Sequence, residues 1–116
     1  MPSRARSEGP LVWLHAASVG EAASLLAFIE RLSQERPGLS MLVTTGTVTS
    51  ARLLEAQLPR ANALHQYVPV DRPLYVRRFL DHWRPDLAIW VYSELWPNLV
   101  AMTQARQIPS VLLNAR

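Results

Sequence analysis

The sequence alternates between short apolar runs and longer segments with helical spacing, and this alternation limits the fold more than any other feature. Apolar runs of strand length occupy residues 11–16, 40–45, 63–68, 86–92 and 110–114. The segments between them show helical spacing, at residues 20–36, 48–58, 72–83 and 97–107. Strands that are apolar on both faces and alternate with helices indicate an α/β fold. We therefore predict an open parallel sheet with helices on both faces.

Apolar residues recur three and four positions apart in the first three helical segments, and they predict the side chains that face the core. These residues are Leu25, Leu26, Ile29, Leu32, Ala51, Leu54, Leu58, Val76, Phe79, Leu80 and Trp83. Proline follows each of the three segments, at Pro37, Pro59 and Pro85. Because proline disfavours helix continuation, these positions predict where the helices end.

Length and composition fit one globular domain. The chain has 116 residues, of which 49% are apolar and 18% are charged, a balance typical of folded rather than disordered proteins. Residues 1–10 are polar and predict a tail or linker, which leaves 11–116 as the domain. There is no cysteine, so disulfides and thiolate metal sites are excluded. No apolar run approaches the roughly 20 residues of a membrane helix.

Every one of the twelve basic residues is arginine, and the formal net charge is +3. Codon bias in a GC-rich genome is one interpretation of the missing lysine, and a functional one is that arginine binds phosphate and carboxylate groups in a bidentate manner. The arginines are scattered along the chain rather than clustered. This pattern does not favour nucleic acid as a partner.

The loops at the carboxyl ends of parallel strands normally carry the functional residues of such a sheet. After the first strand, Ser18 and Glu21 form the S-x-x-E pattern of a capping box, in which each side chain binds a backbone N–H of the other residue. Alternatively, Glu21 faces the crevice as a carboxylate general base. The residues alone leave both readings open.

Threonine dominates the loop after the second strand, at residues 44–50. Hydroxyl groups and free backbone N–H groups at a helix start suit a phosphate or a sugar. The glycines and lysine of the known nucleotide-binding loops are missing. An ordinary helix cap is the alternative interpretation.

The loop after the fourth strand places Glu94 just before Pro97, which suits the first turn of a helix. Glu21 and Glu94 are thus predicted to lie on neighbouring loops at one edge of the sheet. Asp71, before the third helix, is expected to cap that helix.

Together these segments resemble the Kdo (3-deoxy-D-manno-octulosonic acid) transferase family. The resemblance runs from residue 11 to 116, and its order and spacing make it specific. It rests on HAASVGE at 15–21, TTGTVTS at 44–50, YVPVDRP at 67–73, RRFLDHWRPDLAIW at 77–90, SELWPN at 93–98 and LLNAR at 112–116.

The resemblance implies a Rossmann-like half of a two-domain GT-B glycosyltransferase. This chain would be the N-terminal acceptor-binding domain, and the donor domain that binds most of CMP-Kdo would be absent. The full enzyme would move Kdo to a lipid A precursor at the cytoplasmic face of the bacterial inner membrane, whose surface it contacts. It would need neither metal nor cofactor. The 116-residue chain alone is expected to be inactive and to self-associate through its uncovered edge.

The family also implies roles for individual residues. Glu21 would be the catalytic base. The acceptor-binding residues would be Ser18, Gly20, Thr45, Gly46, Thr47, Thr49, Glu94, Asn98 and Arg116.

Two positions depart from the family pattern. Tyr92 stands where the family usually has the first glutamate of a Glu-Thr-Glu run, so a role that needs both carboxylates is not carried over. Ser50 stands where glycine is usual. Two alternatives remain: another GT-B nucleotide-sugar enzyme, or a non-catalytic α/β module that binds anionic lipid or a protein partner.

Overall fold

The computed structural model describes residues 9–16, 19–36, 38–57, 63–69, 71–91 and 97–113. Strands and helices alternate through this part of the chain, as the sequence predicts. The elements are β1 (Leu11–Ala16), α1 (Val19–Glu35), β2 (Ser40–Thr45), α2 (Val48–Gln57), β3 (Ala63–Tyr67), α3 (Pro73–Trp83), β4 (Leu87–Val91), α4 (Pro97–Ala105) and β5 (Ser110–Leu113).

The five strands form one parallel sheet in the order β3-β2-β1-β4-β5. β1 is the central strand, with Leu14 opposite Val43 of β2 on one side and Ile89 of β4 on the other. The chain fills the sheet outward from β1 to β3 and then crosses over to β4. The direction of winding therefore reverses between β1 and β4, and the carboxyl ends of these two strands border the crevice in which such sheets bind ligands.

Helices cover both faces of the sheet, and the two faces differ in composition. The aliphatic face lies under α1 and α2 and contains Val12, Leu14, Ala16, Ala22, Leu25, Leu26, Ile29, Met41, Val43, Leu54 and Ile89. The aromatic face lies under α3 and α4 and contains Leu11, Trp13, Leu42, Val76, Phe79, Leu80, Trp83, Ala88, Trp90 and Leu99. Alternate residues of the central strands enter opposite faces, which explains their continuous apolar runs.

The predicted fold class is confirmed, and so are ten of the eleven predicted core positions. All of these ten are buried except Leu32, which is half-buried; Leu58 lies outside the described residues. The boundaries differ slightly from the prediction. α3 begins at Pro73 rather than Arg72, which is extended (φ −125°, ψ 143°), and it ends where Arg84 adopts a left-handed conformation (φ 44°, ψ 60°). α4 ends at Ala105.

The expectation that Asp71 caps α3 is wrong. The residue in the N-cap position of α3 is Arg72, whose side chain makes no cap hydrogen bond. The carboxylate of Asp71 instead accepts hydrogen bonds from the backbone of α4. Pro73 occupies the first position of α3, where its missing N–H costs no hydrogen bond.

Across the described helices, none combines the length and the apolar character that crossing a bilayer requires.

Candidate functional site

The four helices all begin at the carboxyl edge of the sheet, because each follows a parallel strand. Their first turns therefore direct backbone N–H groups and the positive ends of the helix dipoles toward this edge. Glu21 and Glu94 are predicted to lie on the loops that follow β1 and β4. These two strands are adjacent, and the winding of the sheet reverses between them. This edge is the candidate site.

Glu21 lies in the first turn of α1 and is buried, with 6% of its surface exposed. Since the helix begins at Val19, Glu21 is its third residue, which is the register that a capping box requires. Gly20 is exposed beside it. Ser18, the other member of the predicted box, lies outside the described residues. The structure thus places Glu21 at the crevice edge with its charge near the positive end of a helix.

Thr44 is fully buried and connects two side chains of β1. Its Oγ1 accepts a hydrogen bond from Nε1 of Trp13 at 2.9 Å and lies 2.9 Å from Nδ1 of His15. His15 is also buried and stacks edge-on against Trp90, with 6.0 Å between the ring centroids. These contacts anchor the carboxyl end of β1 to β2 and β4, directly before the loop that leads to Glu21.

Thr45, a predicted acceptor-binding residue, is also fully buried. Its Oγ1 lies 2.8 Å from Nε2 of His65 on β3. The Nδ1 of the same histidine is 3.7 Å from a carboxylate oxygen of Glu55 on α2. The hydroxyl of Thr45 is therefore engaged within the domain rather than presented to the crevice.

Thr47 caps α2. Its Oγ1 accepts a hydrogen bond from the backbone N–H of Ser50 at 3.1 Å, and its hydroxyl donates to Oγ of Ser50 at 2.7 Å. Ser50 is fully buried, so the hydroxyl that replaces the usual glycine hydrogen-bonds to the cap. Gly46 and Thr49 are exposed, and a side chain at Gly46 would meet nothing within 4 Å. Thr44, Thr45 and Thr47 thus use their hydroxyl groups in contacts within the described structure. Thr49, in contrast, is exposed to solvent at the start of α2.

Asn98, another predicted acceptor-binding residue, lies in the first turn of α4 and is half-buried. Its Nδ2 donates a hydrogen bond to the backbone oxygen of Asp71 at 3.0 Å. Because that nitrogen is held by the β3–α3 loop, the Oδ1 atom is the acceptor that Asn98 can offer to a ligand. Glu94 and Arg116 lie outside the described residues.

Exposed apolar side chains also gather at the carboxyl edge, and the sequence reasoning missed them. Val19, Val48, Tyr67, Leu74 and Tyr75 are between 41% and 57% exposed. Four of them lie in the first turns of α1, α2 and α3, and the fifth ends β3. We call these five residues the apolar rim. The available signal for this surface was that valine, leucine and tyrosine occupy helix positions that do not face the core.

Two solved structures share the fold of this chain. The structure of Acinetobacter baumannii MurG matches with a TM-score of 0.66, covering 90% of this chain and 34% of that one at 15% identity. A complex of Phytolacca americana UGT2 with UDP-2fluoro-glucose and pterostilbene matches with a TM-score of 0.60 at 17% identity. This match covers 90% of the present chain and 30% of the UGT2 chain. The fold of this chain is therefore like the Rossmann-type half of the GT-B architecture.

The sequence comparisons define the family. The profile of the 3-deoxy-D-manno-octulosonic-acid transferase (kdotransferase) family matches residues 1–116, and the chain belongs to that family.

Curated members of the family are similar along nearly the whole chain. A probable mitochondrial 3-deoxy-D-manno-octulosonic acid transferase of Arabidopsis thaliana is 42% identical over 115 residues, which are 99% of this chain and 26% of the relative. The 3-deoxy-D-manno-octulosonic acid transferase of Rickettsia felis is 42% identical over all 116 residues, 25% of its own length. The corresponding transferase of Haemophilus influenzae is 38% identical over 105 residues, which are 90% of this chain and 24% of the relative. The chain therefore spans about a quarter of these relatives.

Proposed function

We propose that the full-length protein transfers Kdo from CMP-Kdo to a lipid A precursor, and that this chain forms its acceptor-binding domain. The observation that carries the proposal is the position of Glu21. In a chain of the Kdo transferase family, Glu21 lies in the first turn of α1, the helix that follows the central strand β1, and the winding of the sheet reverses beside this strand. Glycosyl transfer to a hydroxyl group needs a base at such a crevice.

In the proposed reaction Glu21 takes the proton of an acceptor hydroxyl. The oxygen forms a bond to the anomeric carbon of Kdo, and the bond from that carbon to the phosphate oxygen of CMP breaks. CMP leaves with the bonding electron pair. The small exposed fraction of Glu21 fits this role, because a carboxylate largely shielded from water is held in one orientation.

Acceptor contacts come from neighbouring helix starts. Gly20, Gly46, Thr47 and Thr49 provide exposed backbone or side-chain groups at the first turns of α1 and α2. The positive ends of these helices suit the phosphate groups of an acceptor or of the leaving nucleotide. Thr45 shapes this loop from the inside, through its contact with His65. No protein-bound metal or cofactor enters the proposal.

The apolar rim supports an acceptor that carries acyl chains at a membrane surface. Apolar side chains at the edge of a basic protein favour the boundary between headgroups and acyl chains. Arg72, Arg77 and Arg78 are exposed close in sequence to Leu74 and Tyr75, and arginine attracts anionic headgroups. These features support a membrane surface as the place of action, and the family resemblance leads us to propose the cytoplasmic face of the bacterial inner membrane for the full-length protein.

A direct assay tests the function. Purified full-length protein is incubated with CMP-Kdo and a lipid A precursor, and the lipid is analysed by mass spectrometry. We expect a product heavier by one or more Kdo residues, together with free CMP. Transfer from a different nucleotide sugar, with none from CMP-Kdo, would indicate another GT-B enzyme. Lipid binding without transfer from any donor would indicate the non-catalytic module.

A further inference from the structure

We infer that Asp71 is a positioning residue for acceptor binding, because it fixes the start of α4 from the neighbouring β3–α3 loop. The inference rests on the proposed function and adds a residue to it. Asp71 follows β3 in the chain but acts on the helix that follows β4, on the other side of the central strand. It therefore joins the β3–α3 loop to the first turn of α4 at the same edge of the sheet.

Three hydrogen bonds make this connection. The carboxylate Oδ1 of Asp71 accepts from the backbone N–H of Leu99 at 2.8 Å. Its Oδ2 accepts from the backbone N–H of Asn98 at 3.3 Å, and its backbone oxygen accepts from the side chain of Asn98 at 3.0 Å. The partners are 27 and 28 residues away along the chain. We call this set the Asp71 tie.

The chemistry of α4 explains why a distant carboxylate is needed. The helix begins at Pro97, which has no N–H, so the first backbone donors are those of the next two residues. The residue before Pro97 is Trp96, whose indole can donate a hydrogen bond but cannot accept one from these amides. Asp71 supplies the missing acceptor and places a negative charge at the positive end of the helix.

The tie controls Asn98, a residue of the predicted site. It holds the side-chain amide of Asn98 in one orientation, with Oδ1 as the remaining acceptor. It also fixes the point at which the chain enters α4, only three residues after Glu94. A shift of about 1 Å in a group that positions substrate can change the rate by about a hundredfold. Loss of the tie should therefore weaken productive acceptor binding.

A second link between α3 and α4 provides a matched control. Arg106, just after α4, donates a hydrogen bond to the carboxylate of Asp81 on α3 at 2.6 Å. This pair lies near the opposite end of the two helices and is largely exposed, with 60% of the Asp81 side chain accessible. Asp81→Ala removes a carboxylate between the same two parts of the chain without touching the crevice edge.

The experiment compares full-length wild type, Asp71→Ala, Asp71→Asn and Asp81→Ala. Initial rates are measured against lipid A precursor at saturating CMP-Kdo, and against CMP-Kdo at saturating acceptor. Asparagine keeps one oxygen that can accept the N–H of Leu99, so it should partly rescue the loss. Amide hydrogen exchange in peptides from residues 97–105 reports the tie independently of activity.

We expect Asp71→Ala to lower kcat/KM for the acceptor by about tenfold to a hundredfold, mainly through KM, with KM for CMP-Kdo unchanged. Asp71→Asn should fall between it and the wild type. Exchange at the start of α4 should accelerate in Asp71→Ala alone, and Asp81→Ala should match the wild type throughout.

Two results would overturn the inference. The first is that Asp71→Ala leaves the acceptor kinetics unchanged. The second is that its acceptor KM stays constant and its kcat falls only as much as the amount of folded protein does. A wild type that transfers no Kdo would instead contradict the proposed function. The exchange data would then decide on the tie, and unchanged exchange in Asp71→Ala would refute it.

Discussion

The two faces of the sheet contrast within a single set of strands. The aliphatic face contains only aliphatic side chains and methionine among its clustered buried residues. The aromatic face packs Trp13 against Phe79 and Trp90, with ring centroids 4.8 and 4.7 Å apart. It also holds the polar contacts of His15 and Thr44. The aliphatic cluster thus depends on packing, with the contact of Thr45 and His65 at its carboxyl end, whereas the aromatic face combines packing with the buried hydrogen bonds of Trp13, His15 and Thr44.

The polar contacts between the strands of the aromatic face lie at one end. His15, Thr44 and Trp90 lie at or near the carboxyl ends of the three central strands, next to the candidate site. Buried polar groups are costly unless they are hydrogen-bonded, so such a network fixes geometry as well as contributing stability. The aromatic face therefore holds the carboxyl ends of β1 and β2 next to the site through Trp13, His15 and Thr44, and on the aliphatic face the contact of Thr45 with His65 acts at the same edge.

The largest expected effect is on the aromatic face. Trp13→Ala should lower the free energy of unfolding by about 4 kcal/mol, because it opens a large cavity and removes the hydrogen bond to Thr44. Urea denaturation of the 116-residue chain, followed by far-UV circular dichroism, measures the change.

The adjacent residue of β1 faces the other way and provides the comparison. Leu14→Ala should cost about 3 kcal/mol from the cavity alone. If Trp13→Ala proved much milder than Leu14→Ala, the aromatic face would not bear the structural role described above.

A smaller effect isolates the hydrogen bonds. Thr44→Val keeps the shape of the side chain but removes the hydroxyl that both Trp13 and His15 contact. Leaving these buried groups without that partner should cost about 1–3 kcal/mol. The same denaturation measurement applies.

Val43 provides the matched control for the other face of the sheet, because it is as buried as Thr44 and lies one residue away on the aliphatic face. Val43→Thr adds a hydroxyl where the surrounding cluster is aliphatic, and should also cost about 1–3 kcal/mol. A neutral Thr44→Val would show that the network adds no stability, and a neutral Val43→Thr would show that the aliphatic face tolerates polar groups.

The sequence was enough to predict the fold because its local signals agree with one another. Continuous apolar strands, helical spacing and proline stops all indicate the same layered sheet. The order of the strands was not predicted, since periodicity does not specify which strands pair. The error at Asp71 has a similar cause. Its position just before α3 suggested a local cap, whereas its actual partners lie 27 and 28 residues away.

The site was harder to predict for a physical reason. A threonine at a loop can face a ligand or the interior, and sequence spacing does not distinguish the two. The structure shows that Thr44 and Thr45 face inward and that Thr47 caps α2. The register of Glu21 in α1, in contrast, follows from helix geometry and could be read from the S-x-x-E pattern.

The most direct test of the account replaces Glu21 with glutamine in the full-length protein, with Glu30→Gln on the exposed side of α1 as the control. Glutamine keeps the size of the side chain and can still accept a backbone hydrogen bond, so stability should fall by at most about 1 kcal/mol. It cannot take a proton, so the rate of Kdo transfer should fall by about two to four orders of magnitude. Glu30→Gln should match the wild type in both respects. Wild-type transfer by a folded Glu21→Gln variant would show that Glu21 is a helix cap and not the base.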